Sequence, residues 1–248
     1  MLYLFRIIIT AIWVGISCTA GIIVGIVRPF DPRNIKISTD LIAWGHKFLG
    51  IEIELRNKEI LNPARPCVFI SNHQHNLDIF PGCYTLPGNT VTIGKRSIIL
   101  IPFFGQFFWL SGNILIDRKN KKRAFEAMDV AANAIKEKKL SVWIMPEGTR
   151  SKGRGILPFK KGPFITAIKA QVPIVPIAIS SYTKHLNLGK WHAGKILIQV
   201  LPPISTIGLT PEDANQIKDQ AYHLMKETIL KLDNEIEKNL EKNTKKLI

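Results

Sequence analysis

Short apolar runs recur along the chain at Val68–Ile70, Val91–Ile93, Ile114–Ile116, Val142–Met145, Ile174–Ile179 and Ile196–Val200. Runs of this length, dominated by Val and Ile, read as buried strands. Helical patterns lie between several of them. Lys121–Lys139 places Phe125, Met128, Ala132 and Ile135 on one face, and Ile98–Leu110 is aromatic and apolar. Ala214–Leu240 repeats Ile217, Ala221, Leu224, Thr228, Leu232, Ile236 and Leu240 at helical spacing. This alternation is what most constrains the fold: it predicts an α/β layered domain around a central sheet. At 248 residues the chain is long enough to bury a substantial core.

In open α/β sheets, ligands bind beyond the carboxyl ends of the strands. The first run breaks after Ile70 into Ser71–Asn76, a small and polar stretch that ends at Asp78. His73 and Asp78 are the candidate catalytic pair. An imidazole takes a proton near neutral pH, and a carboxylate holds its other nitrogen in one tautomer. Residues five apart on a regular helix point about 140° away from each other. The two side chains therefore meet only if His73 sits in the turn and Asp78 in the first turn of a following helix. Such a pair suits direct deprotonation of a substrate hydroxyl. Alternation along an extended strand puts Ser71 on the same face as His73, making it the nearby candidate nucleophile. His75 reads either as a neighbour tuning His73 or as an exposed bystander.

Four further clusters sit at strand termini. Gly94, Lys95 and Arg96 follow one run, Gly112–Arg118 ends in Asp117 and Arg118, and Met145–Ser151 reads M-P-E-G-T-R-S. The fourth, Val172–Pro176, opens a strand with two prolines and reads as a wall of the site. Three of the four bring a cation, the ingredient of a phosphate site: Arg offers a bidentate fork and Lys a point charge. Glu147 either pairs with Arg150 or faces substrate. Gly148 allows close backbone approach, and Thr149 offers a hydroxyl. Phe103, Phe104, Phe107 and Phe108 are candidates for an acyl-chain slot, with plain core packing as the alternative.

The net charge of +15 calls for an anionic partner, and the surplus is concentrated. Lys95–Lys169 holds sixteen basic residues against five acidic ones. Cys18, Cys67 and Cys83 form neither a metal-ligand spacing nor an even-numbered disulfide framework, so they read as buried free thiols.

From Ile7 to Val27 there are twenty-one residues without a charge, long enough to cross a bilayer and too long for a signal peptide. Arg28, Arg33 and Lys36 follow it, which places the remaining chain in the cytoplasm. Gly21 and Gly25 form a G-x-x-x-G pattern that reads as chance in an apolar segment. Leu41–Ile53 reads as an amphipathic helix, lying in the membrane interface or packed on the core. A membrane-held chain favours lipid over nucleic acid as partner. The sequence divides into residues 1–54, membrane-anchoring helices, and residues 55–248, the α/β domain.

N-H-Q-H-N-L-D contains the H-x-x-x-x-D motif of the glycerolipid acyltransferases, and G-N-I-L-I-D-R, P-E-G-T-R-S and V-P-I-V-P resemble that family's next three blocks in order. The apolar N-terminus, G-K-R-S, I-P-F-F-G-Q and L-P-F-K-K-G are similar to its bacterial 1-acyl-sn-glycerol-3-phosphate acyltransferases. The resemblance implies a central twisted mixed sheet flanked by helices, with an N-terminal helical pair at the membrane, which leaves lying in one leaflet as the alternative to spanning. It implies transfer of a fatty acyl group from acyl-CoA or acyl carrier protein to the 2-hydroxyl of lysophosphatidic acid, giving phosphatidic acid at the cell inner membrane. His73 would be the base and Asp78 its orienting partner. Glu147, Gly148, Thr149 and Arg150 would bind glycerol phosphate, with Asp117, Arg118 and Lys95 as further substrate contacts. Neither metal nor cofactor is expected. Two rival readings are a metal site of the amidohydrolase type, opened by the H-x-H at His73 and His75, and a non-enzymatic basic protein that binds nucleic acid or anionic lipid.

Overall fold

A computed structural model describes residues 1–62, 64–117 and 121–245, without the side chains of 121–125 and 243–245. Among these residues seven strands form one mixed sheet: β1 (Ile51–Arg56), β2 (Val68–Ser71), β3 (Thr90–Lys95), β4 (Ile114–Ile116), β5 (Ser141–Ile144), β6 (Ile174–Ile179) and β7 (Gly194–Val200). Their spatial order is β1-β7-β6-β2-β5-β3-β4. Every neighbouring pair is parallel except β6 and β7. The strands from β6 to β4 therefore share one carboxyl edge, and the loops leaving β2, β3 and β5 gather there.

Helices cover both faces, which is why β2, β5 and β6 are buried at every position and read as unbroken apolar runs. Alternation along β2 and β5 sorts their residues into two cores. Val68, Ile70, Val142 and Ile144 pack with residues of α5 (Lys121–Lys138), α6 (Gly162–Ala170) and α7 (Ala214–Lys245). Phe69 and Trp143 face the other way, where α1 (Leu2–Val27), α2 (Ile35–Trp44), α3 (Ile79–Thr85) and α4 (Phe104–Leu110) lie.

Two expected helices are rearranged. Leu41–Trp44 complete α2, but Ile51 and Ile53 belong to β1, because the strand alternation of Ile51, Ile53 and Leu55 takes over after Gly50. β1 also runs through residues 54 and 55. Within Ile98–Leu110, Pro102 forces Ile101 into an extended conformation (φ −78°, ψ 119°), so a 3₁₀ turn over Arg96–Leu100 precedes the separate helix α4. Val172–Pro176 enters β6 at the amino end of the parallel strands, pairing Ile174 with Val68, and so lies away from the site instead of walling it.

Helix α1 has an inverted pattern. Its buried face is Arg6, Thr10, Ser17, Cys18, Gly21 and Gly25, whereas Leu4, Ile8, Ile12, Ile16, Ile23 and Ile26 are exposed. Small and polar residues thus meet the protein and large apolar ones face outward. Near the amino end, the Arg6 guanidinium donates to the carbonyls of Leu188 (3.0 Å), Lys190 (2.5 Å) and Trp191 (2.5 Å). Trp13 Nε1 donates to Leu41 O at 2.6 Å. Near the carboxyl end, a Cβ on Gly21 would fall 2.1 Å from Ser38 Oγ and 2.4 Å from Phe107, and one on Gly25 would fall 2.9 Å from Leu110. The glycine pair is therefore a packing device and not a chance placement, and α1 is docked to the domain near both ends. Gly21→Ala should lower stability by about 1–3 kcal/mol through overpacking. Gly15→Ala on the same helix, where nothing lies within 4 Å, should be neutral or slightly stabilising. Thermal unfolding of both variants in detergent checks this.

Candidate active site

The chain leaving β2 makes an extended loop and then a 3₁₀ turn, Asn76–Asp78, that runs into α3. This brings Asp78 back under the loop. His73 Nδ1 lies 2.5 Å from Asp78 Oδ2, and Asp78 is only 3% exposed. The same oxygen accepts the backbone N–H groups of Gln74 (2.6 Å) and His75 (3.0 Å). Oδ1 accepts the hydroxyl of Tyr182, a fully buried residue just beyond β6. With a carboxylate on Nδ1, that nitrogen carries the proton and Nε2 keeps its lone pair. His75 turns elsewhere: its Nδ1 accepts Leu77 N–H, at 3.4 Å, as the cap of the 3₁₀ turn.

The loop is pinned to the end of β6. Asn72 exchanges two hydrogen bonds with the backbone of Ile179 (2.8 and 2.9 Å), and Gln74 Nε2 donates to Ser180 O at 2.8 Å. Asn72, Gln74 and Tyr182 were not singled out by the sequence reading. Asn72 and Gln74 flank His73 in N-H-Q and could have drawn attention as amides buried beside a charge; Tyr182 carried no local signal.

The segment after β5 is joined to the same loop. Glu147 Oε1 accepts His73 N–H at 2.6 Å, and Oε2 accepts Leu157 N–H at 2.9 Å. Ser151 N–H donates to His73 O at 2.8 Å, and Lys152 N–H to Gln74 O at 3.1 Å. Burial pushes the Glu147 carboxyl up to about 7, against the pull of its two N–H donors, and the nearby Asp78 charge raises it further. Both oxygens are thus engaged by backbone, and no pairing with Arg150 is present among the described residues. Glu147 positions the loop and does not line the cavity. Gly148 adopts φ +69°, and a Cβ there would meet Lys160 Cε and Nζ at 2.8 Å, so glycine serves both the turn and the lysine lying over it.

His73, His75 and Asp78 open onto a cavity of about 710 Å³. Its polar part includes Lys95, Thr149, Arg150 and Lys152, all exposed. Its apolar part draws on all four N-terminal-side helices: Val14 of α1, Ile35 and Ile42 of α2, Ile79 and Cys83 of α3, and Phe104, Phe107 and Phe108 of α4. Phe103 is 55% exposed and does not line it. Asp117 and Gly148 are likewise not among its lining residues. Arg118 lies outside the described residues. Lys152 is a further cation that the sequence reading passed over, although it directly follows P-E-G-T-R-S. Ser71 is fully buried and its Oγ accepts Trp143 Nε1–H at 3.0 Å, which removes it as a nucleophile. Burial pushes the Cys83 thiol up, so it is held protonated.

The mixed sheet thus presents a His–Asp pair, several cations and an apolar cavity along one edge, which suits acid–base chemistry on a molecule with charged and apolar parts. Residues 52–180 match the family model described as Acyltransferase, and the chain belongs to that family. It is 36% identical over 242 residues to the 1-acyl-sn-glycerol-3-phosphate acyltransferase of Escherichia coli (strain K12), covering 95% of this chain and 96% of that protein. It is 37% identical to the Haemophilus influenzae enzyme of the same name, covering 96% and 99%. Identity to the human 1-acyl-sn-glycerol-3-phosphate acyltransferase alpha is 36%, covering 90% and 80%. The crystal structure of the Thermotoga maritima 1-acyl-sn-glycerophosphate (LPA) acyltransferase shares the fold, with a TM-score of 0.71 at 19% identity over 93% of this chain and 94% of that one.

Glu147→Gln separates positioning from substrate contact. The amide presents an NH₂ to one of two N–H donors, leaving a buried group unsatisfied at a cost of about 1–3 kcal/mol. The expected outcome is a kcat at least ~10-fold lower with the acceptor KM changed little. Steady-state kinetics at varied acceptor concentration read this out.

Proposed function

We propose that the protein transfers a fatty acyl group from a thioester, acyl-CoA or acyl carrier protein, to the 2-hydroxyl of 1-acyl-sn-glycerol 3-phosphate, forming phosphatidic acid. The observation that carries the reading is His73 Nδ1 held by buried Asp78 in a cavity lined both by cations and by apolar side chains. Among the described residues no protein group bonds Nε2, so it can take the acceptor's hydroxyl proton. The acceptor oxygen then bonds to the thioester carbonyl carbon, whose π pair moves onto oxygen. Collapse of that tetrahedral species breaks the C–S bond, and the His73 imidazolium returns its proton to the departing thiolate. Acid–base help of this kind contributes about 10²–10⁴-fold.

Lys95, Arg150 and Lys152 serve the acceptor's phosphate, Arg150 as the bidentate fork. Phe104, Phe107 and Phe108 serve the acyl chain. The large apolar side chains of α1 and the exposed Trp44, Phe30 and Trp109 lie in membrane lipid. Arg28, Arg33 and Lys36 then favour the cytoplasmic face of the cell inner membrane. Residues 1–54 supply most of this lipid-facing surface and residues 55–248 the chemistry.

The direct test is acyl transfer by purified protein to lysophosphatidic acid, with lysophosphatidylcholine and lysophosphatidylethanolamine as competitors and with both thioester donors. His73→Ala should abolish turnover, and enzyme incubated with labelled donor alone should carry no covalent acyl group. Arg150→Ala should raise the acceptor KM with a smaller effect on kcat, and Arg150→Lys should restore only part. An unchanged KM in the alanine variant counts against the phosphate role. Phe104→Ala and Phe107→Ala should move the donor preference toward longer chains, measured with a donor series. An unaltered chain-length profile would make these residues core alone.

A further inference from the structure

The Asp78 carboxylate is asymmetrically satisfied. Oδ2 receives three donors: His73 Nδ1, Gln74 N and His75 N. Oδ1 has, among the described residues, one donor: the Tyr182 hydroxyl. Tyr182 is fully buried, lies 104 positions along the chain from Asp78, and comes from the segment that follows β6. Its own placement is determined on several sides. Its N–H donates to Ser180 O at 2.8 Å, and Leu186 N–H donates to its carbonyl at 3.0 Å. The preceding residue, Ser181, donates its N–H to Asp233 Oδ1 of α7 at 2.6 Å. Further along the same connection, the carbonyls of Leu188, Lys190 and Trp191 are held by Arg6 of α1.

We propose that Tyr182 is a positioning residue for the acyl-transfer reaction, acting through Asp78 on His73. This inference rests on the reading of His73 as the base. A buried carboxylate can rotate about its Cβ–Cγ bond unless both oxygens are bonded. With Oδ1 anchored by the phenol, Oδ2 keeps one orientation toward Nδ1 before and after the imidazole takes the proton. The phenol also draws part of the carboxylate's charge away from Oδ2, so the strength with which Asp78 supports the imidazolium is set from its far side. Tyr182 does not line the cavity, so it touches neither substrate.

Tyr182→Phe keeps the ring and removes the hydroxyl. Wild-type enzyme must first turn over lysophosphatidic acid; if it does not, the functional reading fails and Tyr182 is not what was tested. Given that activity, kcat of the variant should fall roughly 10-fold or more, the scale of a lost hydrogen bond to a charged group, with both KM values within about twofold. The limbs of its pH–kcat/KM profile should move relative to wild type. In an Asp78→Asn background the same change should cost far less, because the carboxylate it acts on is gone. A kcat within twofold of wild type, or a loss equal in both backgrounds, assigns the hydroxyl a structural role and overturns the proposal. If the phenylalanine variant does not fold, site-specific 3,5-difluorotyrosine at position 182 keeps the hydroxyl and makes it a stronger donor. A changed kcat at unchanged KM then supports the proposal, and kinetics identical to wild type overturn it.

Discussion

The interaction on which this site depends is the burial of the Asp78 carboxylate. A carboxylate removed from water is costly unless its lone pairs are met, and four donors meet this one: an imidazole, two backbone N–H groups and a phenol. Each donor fixes a different part of the protein. The backbone donors require the tight turn from Gln74 to Asp78. The imidazole donor determines which way His73 faces. The phenol draws the end of β6 over the loop, where Asn72 and Gln74 already hold it. The charge thus organises its surroundings, and a catalytic geometry results from satisfying it.

Glu147 plays the matching part for the second loop. Its two oxygens bridge the His73 N–H and the Leu157 N–H, so the segment with Thr149, Arg150 and Lys152 is carried on the same framework as His73. Two backbone hydrogen bonds, from Ser151 and Lys152, complete the join. The backbone that carries Arg150 and Lys152 is consequently placed relative to His73 by hydrogen bonds to the His73 loop. For a two-substrate reaction such placement is the relevant quantity, since orientation contributes up to about 7–11 kcal/mol.

Much of this was legible in the sequence because it depends on local pattern. The apolar runs marked six of the seven strands, and H-x-x-x-x-D pointed to a turn entering a helix. β1 was missed because Ile51 and Ile53 follow directly on helical residues, and three alternating positions are too few to outweigh them. The break at Pro102 was available from the proline alone. The glycine pair of α1 was read as chance because its partners, Ser38, Phe107 and Leu110, lie on other helices. Tyr182 and the orientation of Glu147 were illegible for the same reason: each is defined by a partner at least ten positions away, and for Tyr182 the partner is 104 positions away. Phe103 was grouped with its neighbours by composition, whereas the turn forced by Pro102 sends it outward, at φ +61° and 55% exposed.

The inverted pattern of α1 joins the chemistry to its surroundings. A helix this apolar would ordinarily be read as leaving the domain to cross a bilayer, yet Arg6 near one end and the glycines near the other are committed to the domain. The helix therefore presents its large apolar face outward while lying along the protein, and Val14 contributes to the cavity that reaches His73. The cavity's apolar wall is thus shared between α1–α4, and His73 and Asp78 from the loop after β2 line the same cavity. Among the described residues, Ser71 is bonded to Trp143 and burial holds the Cys83 thiol protonated, so neither is an activated nucleophile. Direct attack by a substrate hydroxyl, as proposed above, requires neither of them.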